Sequence, residues 1–589
     1  MSTTITRVFD LLRYNLDNFP KEDFVCGKVN GVWKKYSTQK FCEKTDDLSR
    51  GLTTLGIGKG SRVAVMSSNR PEWNICDYAI MQLGAYQIPL YPTLAESDVK
   101  FIIENAGVSI VFANDELTFN KLVNVNKLLS NPIEIYTFNK VASAKHWEEL
   151  VEIGGQTELE LDTYRNAVTA NDILTIIYTS GTTGTPKGVV LTHNNLVQNI
   201  KNSAIIFPKE VKVALSFLPL SHIFERMIIY LYNYGGVSIY YAESMDTIVA
   251  DIQDVKPNAF STVPRLLEKV YDKIMEKGKD LTGIKKAIFY WSLSLAEKFD
   301  QKNSWWYNFK LSIARKLVFK KWQQALGGGI VVIASGGAAL NPRLNRIFWA
   351  AGMPVFEGYG LTETSPVITV NYFGATMFGT VGAAIQGVEV KIAEDGEILT
   401  RGHNIMKGYY ERPDLTDETI DSDGWLHTGD IGELVNGKYL KITDRKKEIF
   451  KTAGGKYIAP QMLENKYKES PLIEQIIVLG ENMKFPAALI VPTFSALKHW
   501  CEHKGIVYTT DAEMITNEQV LEKYNRIVVE LGSDFGKWEK VKRFALLAKE
   551  FSIDGGELTP KLSFKRKVIL EKNKNIIDKI YKDAENYKG

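Results

Sequence analysis

Tyr178-Thr179-Ser180-Gly181-Thr182-Thr183-Gly184-Thr185-Pro186-Lys187-Gly188-Val189 follows directly on the apolar run Ile173 to Ile177. A strand feeding a glycine- and hydroxyl-rich loop is the pattern of an α/β sheet that presents a binding loop at its edge. Glycines let backbone N–H groups approach an anion, serine and threonine add donors, and Lys187 adds positive charge. The run therefore predicts a polyphosphate site, with ATP as the first reading. A Walker loop would need Gly-Lys-Ser/Thr at its end. Here Pro186 precedes Lys187 and Gly188 follows it, so the chain departs from that motif while keeping its physics.

Short apolar strands at Val63 to Met66, Ile173 to Tyr178, Val237 to Tyr241 and Ile330 to Ala334 alternate with longer helical stretches, which predicts α/β with covered β-sheets. After Gly382 the pattern shortens to alternating segments such as Val388-Glu389-Val390-Lys391-Ile392 ahead of Glu394-Asp395-Gly396, as expected of a small β subdomain over about 382–443. The charged run Asp444-Arg445-Lys446-Lys447 then separates a large N-terminal domain, 1–443, from a smaller α+β C-terminal domain, 448–589, with 444–447 as the hinge.

Several function classes are disfavoured. The 589 residues exceed one ordinary core. A formal charge of +3 gives no argument for a nucleic-acid partner. Cys26, Cys42, Cys76 and Cys501 have neither disulfide nor zinc spacing. The first twelve residues lack the apolar centre of a signal peptide, and no later segment sustains the roughly 18 uncharged residues of a membrane span. A cytoplasmic protein, at most peripheral to a membrane, is expected.

Further stretches extend the phosphate-loop reading. Glu357-Gly358-Tyr359-Gly360-Leu361-Thr362-Glu363-Thr364 follows the short strand Met353 to Phe356, so this second loop is expected to face the first. Tyr359 offers an aromatic face, and Glu363 a hard carboxylate oxygen of the kind Mg2+ takes. Gly424-Trp425-Leu426-His427-Thr428-Gly429-Asp430 supplies an acceptor-only carboxylate. Lys451-Thr452-Ala453-Gly454-Gly455-Lys456 is a glycine turn that admits a narrow ligand close to backbone. Leu558-Thr559-Pro560-Lys561-Leu562-Ser563-Phe564-Lys565-Arg566-Lys567 precedes an amphipathic helix marked by Ile569, Ile576, Ile577 and Ile580.

In this order the motifs resemble the adenylate-forming, AMP-binding family of acyl-CoA synthetases, luciferases and adenylation domains. Leu218-Pro219-Leu220-Ser221-His222-Ile223-Phe224-Glu225-Arg226 is similar to the version carried by long-chain fatty acyl-CoA synthetases. The likeness runs from Asn69-Arg70-Pro71-Glu72-Trp73 and Tyr91-Pro92-Thr93 to the last helix.

What the resemblance implies is specific. ATP would be held by Thr179, Ser180, Gly181, Thr182, Thr183, Gly184 and Lys187, with Gly337, Glu357, Gly358, Tyr359, Gly360 and Thr362 around the nucleotide. Asp430, supported by Arg445, would take the ribose hydroxyls. Mg2+ would sit on Thr179 and Glu363. His222 would border the acyl and α-phosphate pocket, and Lys565 would be the catalytic lysine. The resemblance further implies a swivel at Lys447 and a CoA-facing loop at Lys451, Gly454 and Gly455. The substrates implied are a fatty acid, ATP and CoA. Delivery to a carrier protein, a synthetase for another carboxylic acid, and a lipid binder with a degenerate site stay as alternatives.

Two departures from the family pattern matter. Phe564 stands where several members have glycine before the lysine, which keeps Lys567 as a second candidate. Arg226 stands where some bacterial members carry a tryptophan gating the fatty-acid tunnel, so a tryptophan gate is not to be assumed here.

The segment 278–326 resembles an insertion of the long-chain branch. It carries Trp291, Trp305, Trp306, Tyr307 and Trp322 among Lys298, Lys310, Arg315, Lys316, Lys320 and Lys321. Trp306, Phe309, Ile313 and Leu317 recur at helical spacing. That pattern suits a helix lying on a membrane surface through about 291–322, and equally one packed on the protein body.

Overall fold

The computed structural model describes residues 4–180, 185–244, 246–552, 555–558 and 564–585. The Gly181 to Gly184 centre of the phosphate loop and Thr559 to Ser563 lie outside the described residues. The chain divides into two compact units: Met1–Lys391 with Leu399–Thr428 and Asn436–Leu440, and Ile392–Ile398 with Gly429–Val435 and Lys441–Gly589. Short pieces of the 382–443 stretch thus group with the C-terminal unit.

The first unit holds two large sheets. One runs in the order Gly408–Tyr409, Pro186–Thr192, Ile173–Ser180, Tyr86–Leu90, Arg62–Met66, Ile110–Ala113, Glu134–Thr137, Lys145–His146. Its inner strands are parallel, and Val63 to Met66 are buried without a break, as strands covered on both faces must be. The other sheet carries the parallel series Val355–Gly360, Val332–Ser335, Ala259–Thr262, Val213–Ser216, Ser238–Tyr241, Val25–Val29. The expected strands at 63–66, 173–178, 237–241 and 330–334 all lie in these two sheets, within a residue or two at their ends.

Helix Ile223–Tyr234 is buried over most of its circumference, which forces its charged residues Glu225 and Arg226 into the interior. His222 starts it, accepting the Phe224 N–H on Nδ1 at 3.1 Å. Helix His193–Ala204 opens with a reciprocal cap between Thr192 and Asn195, and the Asn195 amide also donates to the carbonyls of His403 and Ile405. That tie holds the 403–410 segment beside the hairpin carrying the phosphate loop.

In the 278–326 segment, helix Trp305–Ala314 passes through a π-helical turn, Arg315–Phe319, into Lys320–Ala325. Leu311, Ala314, Val318, Phe319 and Trp322 are buried, whereas Trp305, Trp306, Phe309 and Leu317 are 75%, 51%, 50% and 48% exposed. The regularly spaced stripe therefore faces outward, and the body takes the intervening residues. Arg315 turns inward to the carbonyl of Ala350.

The second unit is built on Ile473–Leu479, Ala487–Pro492 and Arg543–Leu546, covered by helices including Pro460–Tyr467 and Glu518–Leu531. The final amphipathic stretch is two helices, Arg566–Lys572 and Lys574–Glu585, with Ile569, Ile577 and Ile580 buried and Ile576 more than a third exposed.

Candidate active site

In the first unit, the strand before the phosphate loop and the strand after it form an antiparallel hairpin in which Thr179 is paired with Lys187. Lys187 consequently emerges beside the start of the loop rather than beyond it. Gly408–Tyr409 adds to the outer edge of this hairpin, with Tyr410 N–H donating to the Gly188 carbonyl at 2.7 Å. The Lys187 ammonium lies 5.3 Å from the centre of the Tyr409 ring. The Tyr409 hydroxyl donates to Glu363 Oε1 at 2.9 Å, and the Met406 N–H donates to the Glu363 carbonyl at 2.8 Å. Tyr409 thus joins Lys187 to Glu363. Burial, and then the Glu363 carboxylate, push its phenol well above the usual tyrosine range, so it stays a hydrogen-bond donor.

Glu363 sits on a 3-10 turn, Thr362–Thr364, directly after strand Val355–Gly360. Gly360 cannot carry a side chain, because a Cβ there would meet the Pro366 carbonyl oxygen at 1.6 Å. Tyr359 packs at the edge of a small cluster with Ile368, Ile385 and Val388. The Glu357 carboxyl points into the protein, accepting the Leu340 N–H at 2.9 Å with Asn345 nearby. Burial pushes it up to about 8. It pins the 336–340 turn, in which Gly337 has a positive φ of 80°, to the end of the neighbouring strand.

Two of the stretches singled out from the sequence meet beside His222, and Leu90 joins them. The Asn69 amide donates to the Leu218 carbonyl at 2.6 Å and accepts the Leu220 N–H at 3.0 Å, and the Ser221 hydroxyl donates to the Leu90 carbonyl at 3.2 Å. Glu225 receives the hydroxyls of Ser216, at 2.6 Å, and Ser261. Burial pushes its carboxyl up to about 7.

In the second unit, Asp430 is buried and Arg445 is half exposed, with Nε 3.6 Å from Asp430 Oδ1. Lys446 bridges Asp395 at 2.6 Å and Glu397 at 2.8 Å. Lys447 is exposed, in a turn closed by the Glu448 and Ile449 N–H groups on the Arg445 carbonyl. Asp444 beneath it accepts the N–H groups of Arg445 and Gln461, and burial pushes it up to about 6. Lys451, Gly454 and Gly455 lie on the hairpin Phe450–Lys451 and Tyr457–Ile458, with Gly455 at φ 74° in its turn. Lys565 is exposed and starts the helix Arg566–Lys572.

Sequence reasoning missed Tyr409 and Arg566. For Tyr409 the available signal was the Gly408-Tyr409-Tyr410 step, an aromatic pair opening on glycine.

Two large sheets bearing nucleotide-type loops, followed by a separately cored C-terminal unit, are the architecture of adenylate-forming enzymes. A solved anthranilate CoA ligase in complex with anthranoyl-AMP has this fold, with a TM-score of 0.74, 16% identity, and 96% of each chain covered. The chain belongs to the AMP-binding enzyme family, which matches residues 12–410, with the family's C-terminal domain matching 448–585. Curated relatives include a long-chain-fatty-acid–CoA ligase of Mycobacterium bovis, 32% identical over 94% of this chain and 93% of the relative. Long-chain-fatty-acid–CoA ligase 6 of Homo sapiens is 34% identical over 88% of this chain and 78% of the relative. Membership implies ATP and CoA as small-molecule substrates. Among the described residues no helix is long and apolar enough to cross a membrane.

Proposed function

We propose that this chain is a long-chain fatty acid:CoA ligase. A fatty carboxylate oxygen attacks the α-phosphorus of ATP, the bond to the β-phosphate breaks, and acyl-AMP and pyrophosphate form. The CoA sulfur then attacks the acyl carbon, AMP leaves, and the thiol proton passes to solvent. The observation that carries the reading is the junction of Lys187 and Glu363 at Tyr409, which sets a cation and a carboxylate together beside the phosphate-loop hairpin. The long-chain assignment rests on the relatives and on the 218–226 segment.

In this reading Lys187 and the Thr179–Gly184 loop bind and orient the phosphates, and Asp430, with Arg445 beside it, accepts from the ribose. Tyr359 and the Gly337 turn flank the nucleotide. His222 lines the acyl side, while its Nδ1 serves the helix start. Thr179 and Glu363 are partly buried oxygen donors and fit Mg2+, which when bound supplies positive charge to the phosphates. Lys565 spans carboxylate and phosphate in the first half-reaction. Rotation at the exposed Lys447 exchanges it for the Lys451–Gly455 hairpin in the second. The 278–326 insertion, with its outward aromatic stripe among lysines, meets an anionic membrane surface from the cytoplasmic side.

The test is pyrophosphate release over a panel of carboxylic acids, with and without CoA. Formation of acyl-AMP from long alkanoic acids, and of acyl-CoA when CoA is added, is expected. Acyl-AMP that never passes to CoA would point to a carrier acceptor, and no AMP-linked product from any acid would overturn the reading.

A further inference from the structure

Arg566 follows Lys565 in a basic run, yet its side chain is only 19% exposed and each of its three guanidinium nitrogens donates a hydrogen bond. Nε donates to Glu448 Oε2 at 2.8 Å, one terminal nitrogen to the Val478 carbonyl at 3.0 Å, and the other to Glu464 Oε1. Glu464 also accepts the Val478 N–H at 2.7 Å, so it is held from two sides. Phe564, on the other side of Lys565, turns inward as well. Its ring meets Phe551 edge-on at 5.7 Å within the cluster that includes Ile569, and its backbone bridges to Leu558. The Lys565 N–H donates to the Glu557 carbonyl at 2.8 Å. Inward Phe564, outward Lys565 and inward Arg566 form the step into the helix Arg566–Lys572, with Lys565 at its cap.

Glu448 is the residue after Lys447. It takes Arg566 on one oxygen, and its other oxygen lies 4.0 Å from Arg445, which itself lies beside Asp430. A chain of alternating charge therefore runs Asp430, Arg445, Glu448, Arg566, Glu464 through the second unit. Within it, the Arg566 hydrogen bonds to Glu448 and Glu464 fix direction as well as distance.

We infer that Phe564 and Arg566 act as a clamp that aims Lys565, and that Glu448 ties this clamp to the turn at Lys447, making Arg566 and Glu448 positioning residues for the first half-reaction. The inference rests on the reading of Lys565 above. It also gives the departure from glycine at 564 a physical role: an aromatic anchor replaces a flexible position. Proper aim matters because small misplacement of a reacting group costs large factors in rate.

The experiment is a double-mutant cycle on the full chain, with Glu448→Gln, Lys565→Ala and the pair, and with Arg566→Lys as a second probe. Acyl-AMP formation and thioester formation from supplied acyl-AMP are measured separately. Glu448→Gln is expected to lower kcat for adenylation about tenfold with KM for ATP little changed, to leave thioester formation unaffected, and to cost nothing further in the Lys565→Ala background. Arg566→Lys, which keeps charge without the fork, is expected to fall in the same direction. Equal losses in both half-reactions, or full additivity with Lys565→Ala, would overturn the clamp while leaving Lys565 in place. Normal adenylation by Lys565→Ala would overturn the reading of the lysine, and the clamp with it.

Discussion

Arg226 reaches Asp77 through two of its guanidinium nitrogens, and neither side chain has any solvent exposure. The Tyr230 hydroxyl joins the same carboxylate, and Thr175 Oγ1, on the strand leading to the phosphate loop, accepts from Arg226 at 2.8 Å. A buried ion pair thus braces helix Ile223–Tyr234 against the strand Ile173–Ser180. Removing one partner leaves the other charge uncompensated in the interior, at a cost of about 3–5 kcal/mol. Arg226→Met is expected to lower the thermal midpoint sharply, and Arg226→Met with Asp77→Leu to recover most of that loss. A single variant as stable as the parent in a melting experiment would contradict the bracing role.

Glu225 gives a pH dependence with a defined sign. In the unfolded chain its carboxyl loses the proton near the ordinary value of 4.5, whereas in the fold it keeps it until about 7. Its stabilising contribution is complete below 4.5 and is lost as pH climbs through 7. Glu357, pushed up to about 8, acts in the same direction. Glu225→Gln removes one titration, so its stability should fall between pH 5 and pH 8 by about 2 kcal/mol less than that of the parent. Melting both proteins at the two pH values measures this, and identical falls would count against a proton held on Glu225.

Tyr409 separates charge placement from nucleotide contact. Its hydrogen bond to the Glu363 carboxylate is of the kind worth about 1.5–3 kcal/mol. Tyr409→Phe is expected to slow pyrophosphate release about tenfold and to raise the Mg2+ concentration needed for half-maximal rate. A variant with unchanged rate and unchanged Mg2+ dependence would show that Glu363 needs no such support.

Much of this arrangement was legible in the sequence because it is local. Continuous apolar runs such as Val63 to Met66 announce parallel strands, and the loops at strand ends carry their chemistry within a few residues. What escaped is non-local pairing. Arg226 looked like a missing gate until Asp77, far off in the chain, was brought against it. Arg566 sat in a run that reads as solvated, since nothing local marks Glu448 and Glu464 as its partners. Tyr409 lies on a two-residue strand, too short for any periodicity to register. The aromatic stripe of the 278–326 segment was ambiguous for a different reason: spacing fixes a face but not what the face meets, and only the packing shows that the interior takes Leu311, Ala314 and Val318 instead.

That outward face carries a prediction of its own. Trp306 and Phe309 stack at 5.6 Å, and Lys310 lies 5.4 Å over Trp306, so apolar surface and positive charge alternate along one side. Vesicles of phosphatidylcholine with phosphatidylserine should sediment the protein at low salt, and phosphatidylcholine alone should do so poorly. Trp306→Ser with Phe309→Ser should abolish the difference while leaving adenylation of a detergent-solubilised fatty acid intact. Equal sedimentation by both vesicle types, or none at low salt, would remove the membrane from the account.

The two candidate lysines are distinguished by what fixes their backbone. Lys565 lies between two inward anchors, Phe564 and Arg566, and its N–H is tied to Glu557. Lys567 is an exposed position in the first turn of a helix. A group that must bridge carboxylate and phosphate oxygens gains from a fixed origin, because the side chain alone then has to be ordered. Lys565→Ala should therefore slow acyl-AMP formation by about a hundredfold or more while thioester formation from supplied acyl-AMP persists, and Lys567→Ala should change either step by less than about threefold. Single-turnover measurement of both half-reactions decides it, and a Lys567→Ala variant with the larger adenylation defect would transfer the role to that residue.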